Sequence, residues 1–237
     1  MLEEEIRAKA IEFAKRNRIL IAKELTNVIK YIPDKYPISV FMAGSPGAGK
    51  TEFSKNLIDI LGKNKDNKII RIDGDDMRHL LPGYVGVNSY LFQYPISLIL
   101  EKIHDLALSQ KQSFVFDGTF SNYKKAKDNI QRSLDKKRIV FIFYIYQKPE
   151  VAWKFTKARE NAEGRNIPKS AFVEQFLGAR ETIKKVLKDF NEDVTIFIVK
   201  KDFEKNIVER ITKIISSKNV DEQLERGYTK EELQQCL

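Results

Sequence analysis

The residues best suited to chemistry form a glycine-rich segment between residues 44 and 51. Its sequence, GSPGAGKT, matches the phosphate-binding pattern G-x-x-x-x-G-K-[ST] at every fixed position. Glycines let backbone N–H groups approach phosphate oxygens, while Lys50 can reach the β- and γ-phosphates and the Thr51 hydroxyl can ligate Mg²⁺. A chance glycine turn is the alternative, but an apolar run before the segment and an amphipathic run after it argue against that. The predicted phosphate-binding residues are Gly44, Ser45, Pro46, Gly47, Ala48, Gly49, Lys50 and Thr51.

Three carboxylates are candidates for the acceptor side of a phosphoryl transfer. Asp73 and Asp75 belong to the sequence IDGDD, and Asp117 precedes Gly118 at the end of an apolar run. One of the first pair can act as general base for a hydroxyl, although turn and helix-cap roles are the alternative. A buried Asp117 needs a cation or hydrogen-bond donors, which favours contact with Mg²⁺ or the acceptor, and the Thr119 hydroxyl can add a further contact.

Two arginines follow in a segment that resembles a mobile lid. Arg159 and Arg165 lie in KARENAEGRNIPK, where Gly164 and Pro168 interrupt regular structure. Small kinases use such arginines to neutralise charge on the moving phosphoryl group and to exclude water. The alternative is that both are ordinary surface arginines of a basic chain.

Other classes of nucleotide-binding protein fit the sequence less well. The segment Asn64 to Asn67 (NKDN) imitates the N-K-x-D guanine-recognition motif but ends in Asn and follows a helix instead of a strand. No Glu follows Asp117 to activate a water, as a motor or AAA-type ATPase would need. Transfer to a bound hydroxyl is therefore favoured over hydrolysis. A nucleotide-binding regulatory module without turnover is disfavoured because acceptor-side carboxylates and lid arginines are all present.

The elements that must position these residues alternate between apolar strands and amphipathic helices. This alternation predicts an α/β fold, the three-layer α/β/α sandwich of P-loop NTPases with a parallel sheet, and an added N-terminal helix over residues 2–30. We divide the chain into a helical appendage (1–33), a kinase domain (34–217) and a polar C-terminal tail (218–237) that forms a short helix or stays loose. The predicted strands are 38–43, 68–72, 113–116, 139–146 and 194–199, and the predicted helices are 50–61, 95–110, 122–134, 149–161, 169–190 and 203–215.

The amino-acid composition restricts the cellular compartment and the binding partners that we expect. The 237 residues include one cysteine and two histidines, which leaves little material for a disulfide, a thiolate nucleophile or a zinc site. Without a signal peptide or an apolar run of membrane-spanning length, we expect a cytoplasmic protein. The net charge of +9 favours anionic partners. Binding to nucleic acid is a second hypothesis, in which Tyr84, Tyr90 and Phe92 would stack on bases, but no added nucleic-acid domain is present.

Taken together, four motifs in this order resemble the zeta-toxin family of P-loop kinases. They are GSPGAGKT, IDGDDMRHLLPGY, FVFDGTFSNY and the lid segment, and the resemblance covers about Ile38 to Val199. It implies phosphorylation of a sugar hydroxyl of UDP-N-acetylglucosamine with ATP or GTP and Mg²⁺. It also implies that Asp75 is the base, with Asp73 as the alternative, and that Arg159 and Arg165 are the lid arginines. Asp117 stands where the family usually has Glu, and nothing in Leu80 to Gln93 specifies uracil, so a nucleoside or another hydroxyl compound stays open as acceptor.

The same resemblance raises the question of inhibition. Zeta-like toxins are usually held inactive by a separate antitoxin helix. The N-terminal helix is tethered by a short connector and begins with Glu3 to Glu5, which can meet basic lid or P-loop groups. It either packs on the sheet edge or restrains the kinase in cis.

Overall fold

The sheet at the centre of the molecule has six strands in the order β2-β3-β1-β4-β5-β6. The computed structural model describes residues 2–62, 68–202, 207–224 and 227–237. Strands β1 to β5 run parallel, and β6 pairs antiparallel with β5. The α/β fold is therefore confirmed, and its parallel sheet carries one antiparallel edge strand. The strands are β1 Ile38–Ala43, β2 Ile70–Asp73, β3 Phe114–Asp117, β4 Ile139–Tyr146, β5 Val194–Asp202 and β6 Ile207–Ile214.

Helices cover both faces of this sheet because the strands are apolar on both sides. Val40 and Met42 of β1 point to the face covered by α2, and Phe41 points to the larger core under α1, α3, α4 and α6. The helices are α1 Glu3–Leu25, α2 Lys50–Gly62, α3 Gln93–Ser109, α4 Tyr123–Leu134, α5 Pro149–Glu163, α6 Lys169–Phe190, α7 Ser217–Gln223 and α8 Lys230–Cys236. Single 3₁₀ turns occupy Asp75–Leu80, Ser89–Phe92 and Asn191–Asp193.

The prediction of a helix over 203–215 is wrong, since residues 207–214 form strand β6. Residues 203–206 lie outside the described part of the chain, as does the NKDN segment. The sequence IVERITKI has apolar residues at helical spacing, and for this reason its periodicity predicted a helix. Its β-branched composition favours a strand instead, and pairing with β5 satisfies its backbone. Consequently β5 also runs three residues further than predicted.

The N-terminal helix is packed into the main core. Ala10, Ala14 and Ala22 of α1 are 0% exposed, and their small side chains let α1 approach α3 closely. Its first turn reaches the loop before α3, where the Tyr90 hydroxyl donates a hydrogen bond to Glu3. Glu3 therefore pairs with this loop and not with a lid or P-loop cation, which favours packing over restraint in cis.

The C-terminal segment is ordered as α7 and α8. Both helices lie against α6, and Val220 and Leu233 are fully buried. The proposed division at residues 33 and 217 remains a prediction. Within the described residues, no helix combines the length and the apolar character needed to cross a membrane.

Candidate active site

The glycine-rich segment forms a tight loop between β1 and α2, in the strand–loop–helix context that its motif predicts. Gly44 and Gly47 have φ angles of +137° and +70°, which favour glycine. An added Cβ would lie 2.4 Å from the Ile145 carbonyl oxygen at Gly44, and 2.0 Å from the Ala152 carbonyl oxygen at Gly47. The loop therefore depends on glycine both for its backbone conformation and for its close approach to β4 and α5.

Lys50 is the first residue of α2 and folds back over the loop. Its Nζ donates a hydrogen bond of 2.7 Å to the Ser45 carbonyl oxygen. Burial lowers the pKa of Lys50 to about 8; nearby Arg165 adds to this lowering, and Asp117 opposes it. An anion bound in the loop would favour the charged form of this amine.

Two carboxylates lie side by side at the carboxyl edge of the sheet. The pairing of β2 with β3 sets Asp73 opposite Asp117, and both are 6% exposed. Arg71 donates hydrogen bonds to Asp73 and Asp76, and its guanidinium is 3.3 Å from Asp117 Oδ2. The Ser54 hydroxyl of α2 donates to the same Asp117 oxygen at 2.9 Å. These contacts allow two buried acids to share one edge, which would otherwise be costly.

The pKa of Asp73 differs from that of an ordinary aspartate. Burial, together with the charges of Asp117 and Asp75, raises it to about 6, although Arg71 acts in the other direction. The Asp75 backbone N–H also donates to Asp73 Oδ1 at 2.9 Å, which fixes the turn between the two acids. A carboxylate of this kind can exchange a proton near neutral pH.

Asp75 begins the 3₁₀ turn and is held by three arginines. Arg78 Nε donates to Oδ1 at 3.0 Å, Arg165 donates to Oδ2, and Arg159 Nη2 is 3.2 Å from the same Oδ2. Burial alone would raise the pKa of Asp75, but the charges of Arg165, Arg78 and Arg159 outweigh it and hold the pKa below its usual range. Asp75 is therefore ionised at neutral pH.

The lid and the loop before α3 close over these acids. Arg159 lies on α5, and Arg165 follows the left-handed Gly164 that ends this helix. The Ser89 hydroxyl donates to the Asn166 carbonyl oxygen at 3.1 Å, and Arg78 donates to the Ser89 carbonyl oxygen at 3.2 Å. The predicted lid arginines and the predicted acid Asp75 are thus brought together in one cluster.

Thr119 lies close to the loop but makes a local contact. Its hydroxyl shares a 3.0 Å hydrogen bond with Ser121, and its carbonyl oxygen accepts from the Gly44 N–H at 3.1 Å. This bond couples the end of β3 to the start of the phosphate-binding loop. Thr119 also lines a cavity between α3 and α4.

Sequence reasoning missed three polar residues of the site: Arg71, Arg78 and Ser54. A signal existed for Arg71, because a cation two residues before Asp73 in a short apolar strand must face the same side as that acid. Arg78 follows Asp75 by three residues, the spacing of neighbours on a helical turn. Ser54 carries no comparable signal in its helix.

The stacking role considered for three aromatic residues is not supported. Phe92 is 0% exposed, and Tyr84 packs edge-to-face on it at 5.3 Å. Tyr90 is half exposed and is hydrogen-bonded to α1. Phe92 is thus buried in the core and Tyr84 packs against it, so these two rings do not form an exposed stacking pair.

Within the described residues, no group of three or more His, Cys, Asp or Glu side chains is placed to hold a metal ion. A protein-only metal cage is therefore not formed by these residues. Thr51 is half-buried, and the Ser54 hydroxyl links its carbonyl oxygen, at 3.0 Å, to Asp117 Oδ2, at 2.9 Å. A Thr51 hydroxyl in this position fits Mg²⁺, which keeps several waters and takes its other ligands from phosphates.

Comparisons with known proteins agree with this geometry. The family model described as "Zeta toxin" matches residues 22–212, most of the chain. A solved structure from the PezAT chromosomal toxin–antitoxin system of Streptococcus pneumoniae has a TM-score of 0.68 at 17% identity, covering 94% of this chain and 92% of that chain. Two structures of the AvrRxo1-ORF1:AvrRxo1-ORF2 complex, one with sulphate ions and one with ATP, have TM-scores of 0.61 and 0.59 at 14% identity. Both cover 94% of this chain and 72% of that chain, and these likenesses show the fold. No curated protein sequence matches.

Proposed function

Because the chain belongs to the zeta-toxin family, we propose that it is an ATP-dependent kinase that phosphorylates a hydroxyl of a UDP-sugar. UDP-N-acetylglucosamine is the favoured acceptor. One observation carries this proposal. The phosphate-binding loop, an ionised Asp75 and two lid arginines converge at one edge of the sheet. Ligands bind at this edge in open α/β folds.

The phosphate-binding loop accounts for the nucleotide half of the reaction. Backbone N–H groups of the loop bind the phosphates, and Lys50 leaves the Ser45 carbonyl to contact the β- and γ-phosphates. ATP is the favoured donor and GTP the alternative; one of the structural neighbours was solved with ATP. The Thr51 hydroxyl, together with the phosphates, would hold Mg²⁺, which would supply neutralisation of the charge on the phosphoryl group.

The acceptor half of the reaction depends on the acids of β2 and β3. Asp75 accepts the proton of the attacking hydroxyl, and Asp73 is the alternative base, since its raised pKa suits proton exchange near neutral pH. Asp117 and Thr119 contact the acceptor at the end of β3. Asp117 keeps the carboxylate of the family pattern but is one methylene shorter than Glu.

Arg159 and Arg165 connect the two halves. Both contact Asp75 in this structure, so they already lie beside the acid that orients the acceptor hydroxyl. On transfer they stabilise the charge that develops on the phosphoryl group, together with Lys50. Gly164 and the 163–166 segment close the lid against the loop before α3, which excludes water from the reaction.

The kinase acts in the cytoplasm, where ATP and nucleotide sugars are available. An antitoxin protein binds and inhibits it; a structural neighbour comes from a toxin–antitoxin system. Restraint by α1 in cis is the alternative, although the burial of α1 argues for a structural role.

An acceptor screen tests the proposal. Purified protein, ATP and Mg²⁺ are incubated with UDP-sugars, free sugars, nucleosides and RNA ends, and products are identified by mass. We expect a mass increase of one phosphate on a UDP-sugar, abolished by Lys50→Ala and kept by Lys55→Ala, whose lysine is exposed on the same helix. A product on another acceptor class alone would refute the UDP-sugar assignment, and an active Lys50→Ala variant would refute the role of the loop.

A further inference from the structure

A cavity of about 720 Å³ lies between α3, α4 and the sheet. Gly118 and Thr119 line it at the end of β3, directly after Asp117. Phe41 and Phe116, which are paired in the β1–β3 register, form part of its floor one residue further inside the sheet. The cavity therefore extends from the end of β3, beside the residues that follow Asp117, into the body of the protein.

His104 of α3 is the unusual residue on the wall of this cavity. It is 1% exposed and meets the rings of Phe114, Phe116 and Phe41 edge-on, with centroids 5.0, 5.5 and 6.1 Å away. Neither ring nitrogen makes a hydrogen bond of ordinary geometry among the described residues, although the Asn129 side chain of α4 lies close enough to act on the ring as a weak partner. A buried imidazole that is so poorly satisfied is costly and needs an explanation.

The surroundings of His104 keep the ring uncharged. Burial and the nearby cations Arg132 and Arg138 lower the pKa of His104 to about 3. Asn129 faces the ring from α4 and acts against this lowering. Arg132 is itself paired with Asp105, so its charge is already matched. A neutral imidazole offers one donor and one acceptor, which suits an uncharged polar group and not a phosphate.

The loop that closes the cavity shows a related feature. Phe120 has a φ of +58°, a conformation that is rare for a bulky residue. This backbone places its ring on the cavity wall, 6.1 Å from Phe41. The cavity thus combines an aromatic floor with many polar and charged side chains, most of them from α3 and α4, and this lining suits a ligand that has both ring surface and polar groups.

We propose that His104 is a specificity-determining residue, which hydrogen-bonds an uncharged amide, imide or hydroxyl group of the acceptor in this cavity. The inference rests on the proposed phosphotransfer, because it assigns the cavity to the same acceptor. The reacting hydroxyl lies near Thr119, and the opposite end of the acceptor lies against His104 and Asn129. The charged groups of the acceptor do not contact Phe41 and Phe116 at the floor of the cavity.

A kinetic experiment tests the role with UDP-N-acetylglucosamine. His104→Phe keeps an aromatic ring but removes both nitrogens, so we expect the KM for the acceptor to rise about 5- to 150-fold, with the KM for ATP unchanged. The free variant should stay folded, because the ring position remains filled among Phe41, Phe114 and Phe116 and a desolvated polar ring is replaced by an apolar one. His104→Gln restores a donor and an acceptor and should recover part of the loss, and His79→Phe, at an exposed histidine, is the matched control. An unchanged acceptor KM in His104→Phe would overturn the proposal.

A binding experiment separates this proposal from the proposed function. The ring nitrogens of the two histidines are followed by NMR while UDP-N-acetylglucosamine, uridine or N-acetylglucosamine is added to the full chain. We expect at least one probe to shift the His104 nitrogens while ATP leaves them in place. Binding at His104 without any phosphorylated product would refute the kinase assignment and keep the cavity assignment. If no probe shifts the resonances of the His104 nitrogens, the assignment of the acceptor to this cavity is refuted, whatever the result of the acceptor screen.

Discussion

Nucleotide binding should protonate the Lys50 amine, because near pH 8 only a fraction of the free protein molecules carry this amine in its charged form. Burial lowers its pKa to about 8 in the absence of phosphate. Phosphate oxygens beside Nζ favour the ammonium form and move the pKa back towards its ordinary value. Binding therefore takes up protons from solution over a defined pH range.

The expected amount follows from the pKa of Lys50. At pH 8 about half of the free molecules carry a neutral Lys50, and nearly all bound molecules carry a charged one, so about 0.5 proton is taken up. At pH 6.5 the amine is already about 97% charged, and the uptake falls to about 0.03 proton. Above pH 8 the affinity should fall by up to tenfold per pH unit. Asp73, with a pKa of about 6, is ionised at pH 8 and does not obscure the effect.

Isothermal titration calorimetry measures this uptake from the dependence of the binding heat on buffer ionisation enthalpy. ADP with Mg²⁺ is titrated at pH 8 and pH 6.5 into the native protein and into Lys50→Arg, whose guanidinium stays charged at both pH values. Protonation of the nucleotide itself is common to both proteins and cancels in the difference. Equal proton uptake by two proteins that both bind ADP would refute the reasoning about Lys50.

Two further substitutions test the acids and the N-terminal helix. Asp75→Asn should lower kcat by about 10²–10⁴-fold without weakening ATP binding. If Asp73→Asn instead shows this loss and Asp75→Asn does not, Asp73 is the base. In α1, Ala14→Leu should reduce the free energy of unfolding in urea by about 1–3 kcal/mol, because Ala14 is fully buried. The control Ala8→Leu, on the exposed face of the same helix, should change this free energy by less than about 0.5 kcal/mol. A fully stable Ala14→Leu with raised phosphotransfer would favour the inhibitory interpretation of α1.

The parts of the fold that sequence reasoning predicted well are those fixed by local pattern. Ile38–Ala43 is apolar without a break, so a strand buried on both faces was the natural interpretation, and the glycine motif fixed what followed it. Residues 207–214 failed because apolar spacing and β-branched composition pointed to different structures. Only the partner strand β5, which is a tertiary contact, decides between them.

The residues of the candidate site also fall into two groups: those that the local sequence places and those that only tertiary contacts place. Asp73, Asp75 and Asp117 could be placed at one edge because parallel strands align their carboxyl ends. Arg71 could have been placed on the same side as Asp73, but its contact with Asp117 on the neighbouring strand depends on tertiary structure, as does the contact of Arg165 with Asp75, ninety residues away. Nor did any spacing rule connect His104 with the end of β3, because that link depends on how α3 packs on the sheet.

The position of β2 has a consequence for how the protein loses activity. Among the described residues, this four-residue edge strand pairs only with β3, yet it ends in Asp73 and leads directly into Asp75. Edge elements with few partners open locally at a lower free energy than the central strands β1 and β4. Detachment of β2 would remove Arg71 from Asp117 and separate both candidate bases from the nucleotide loop while most of the core stays folded. Inactivation by mild denaturant should therefore precede global unfolding, and the backbone amides of residues 70–73 should exchange with solvent earlier than those of β1.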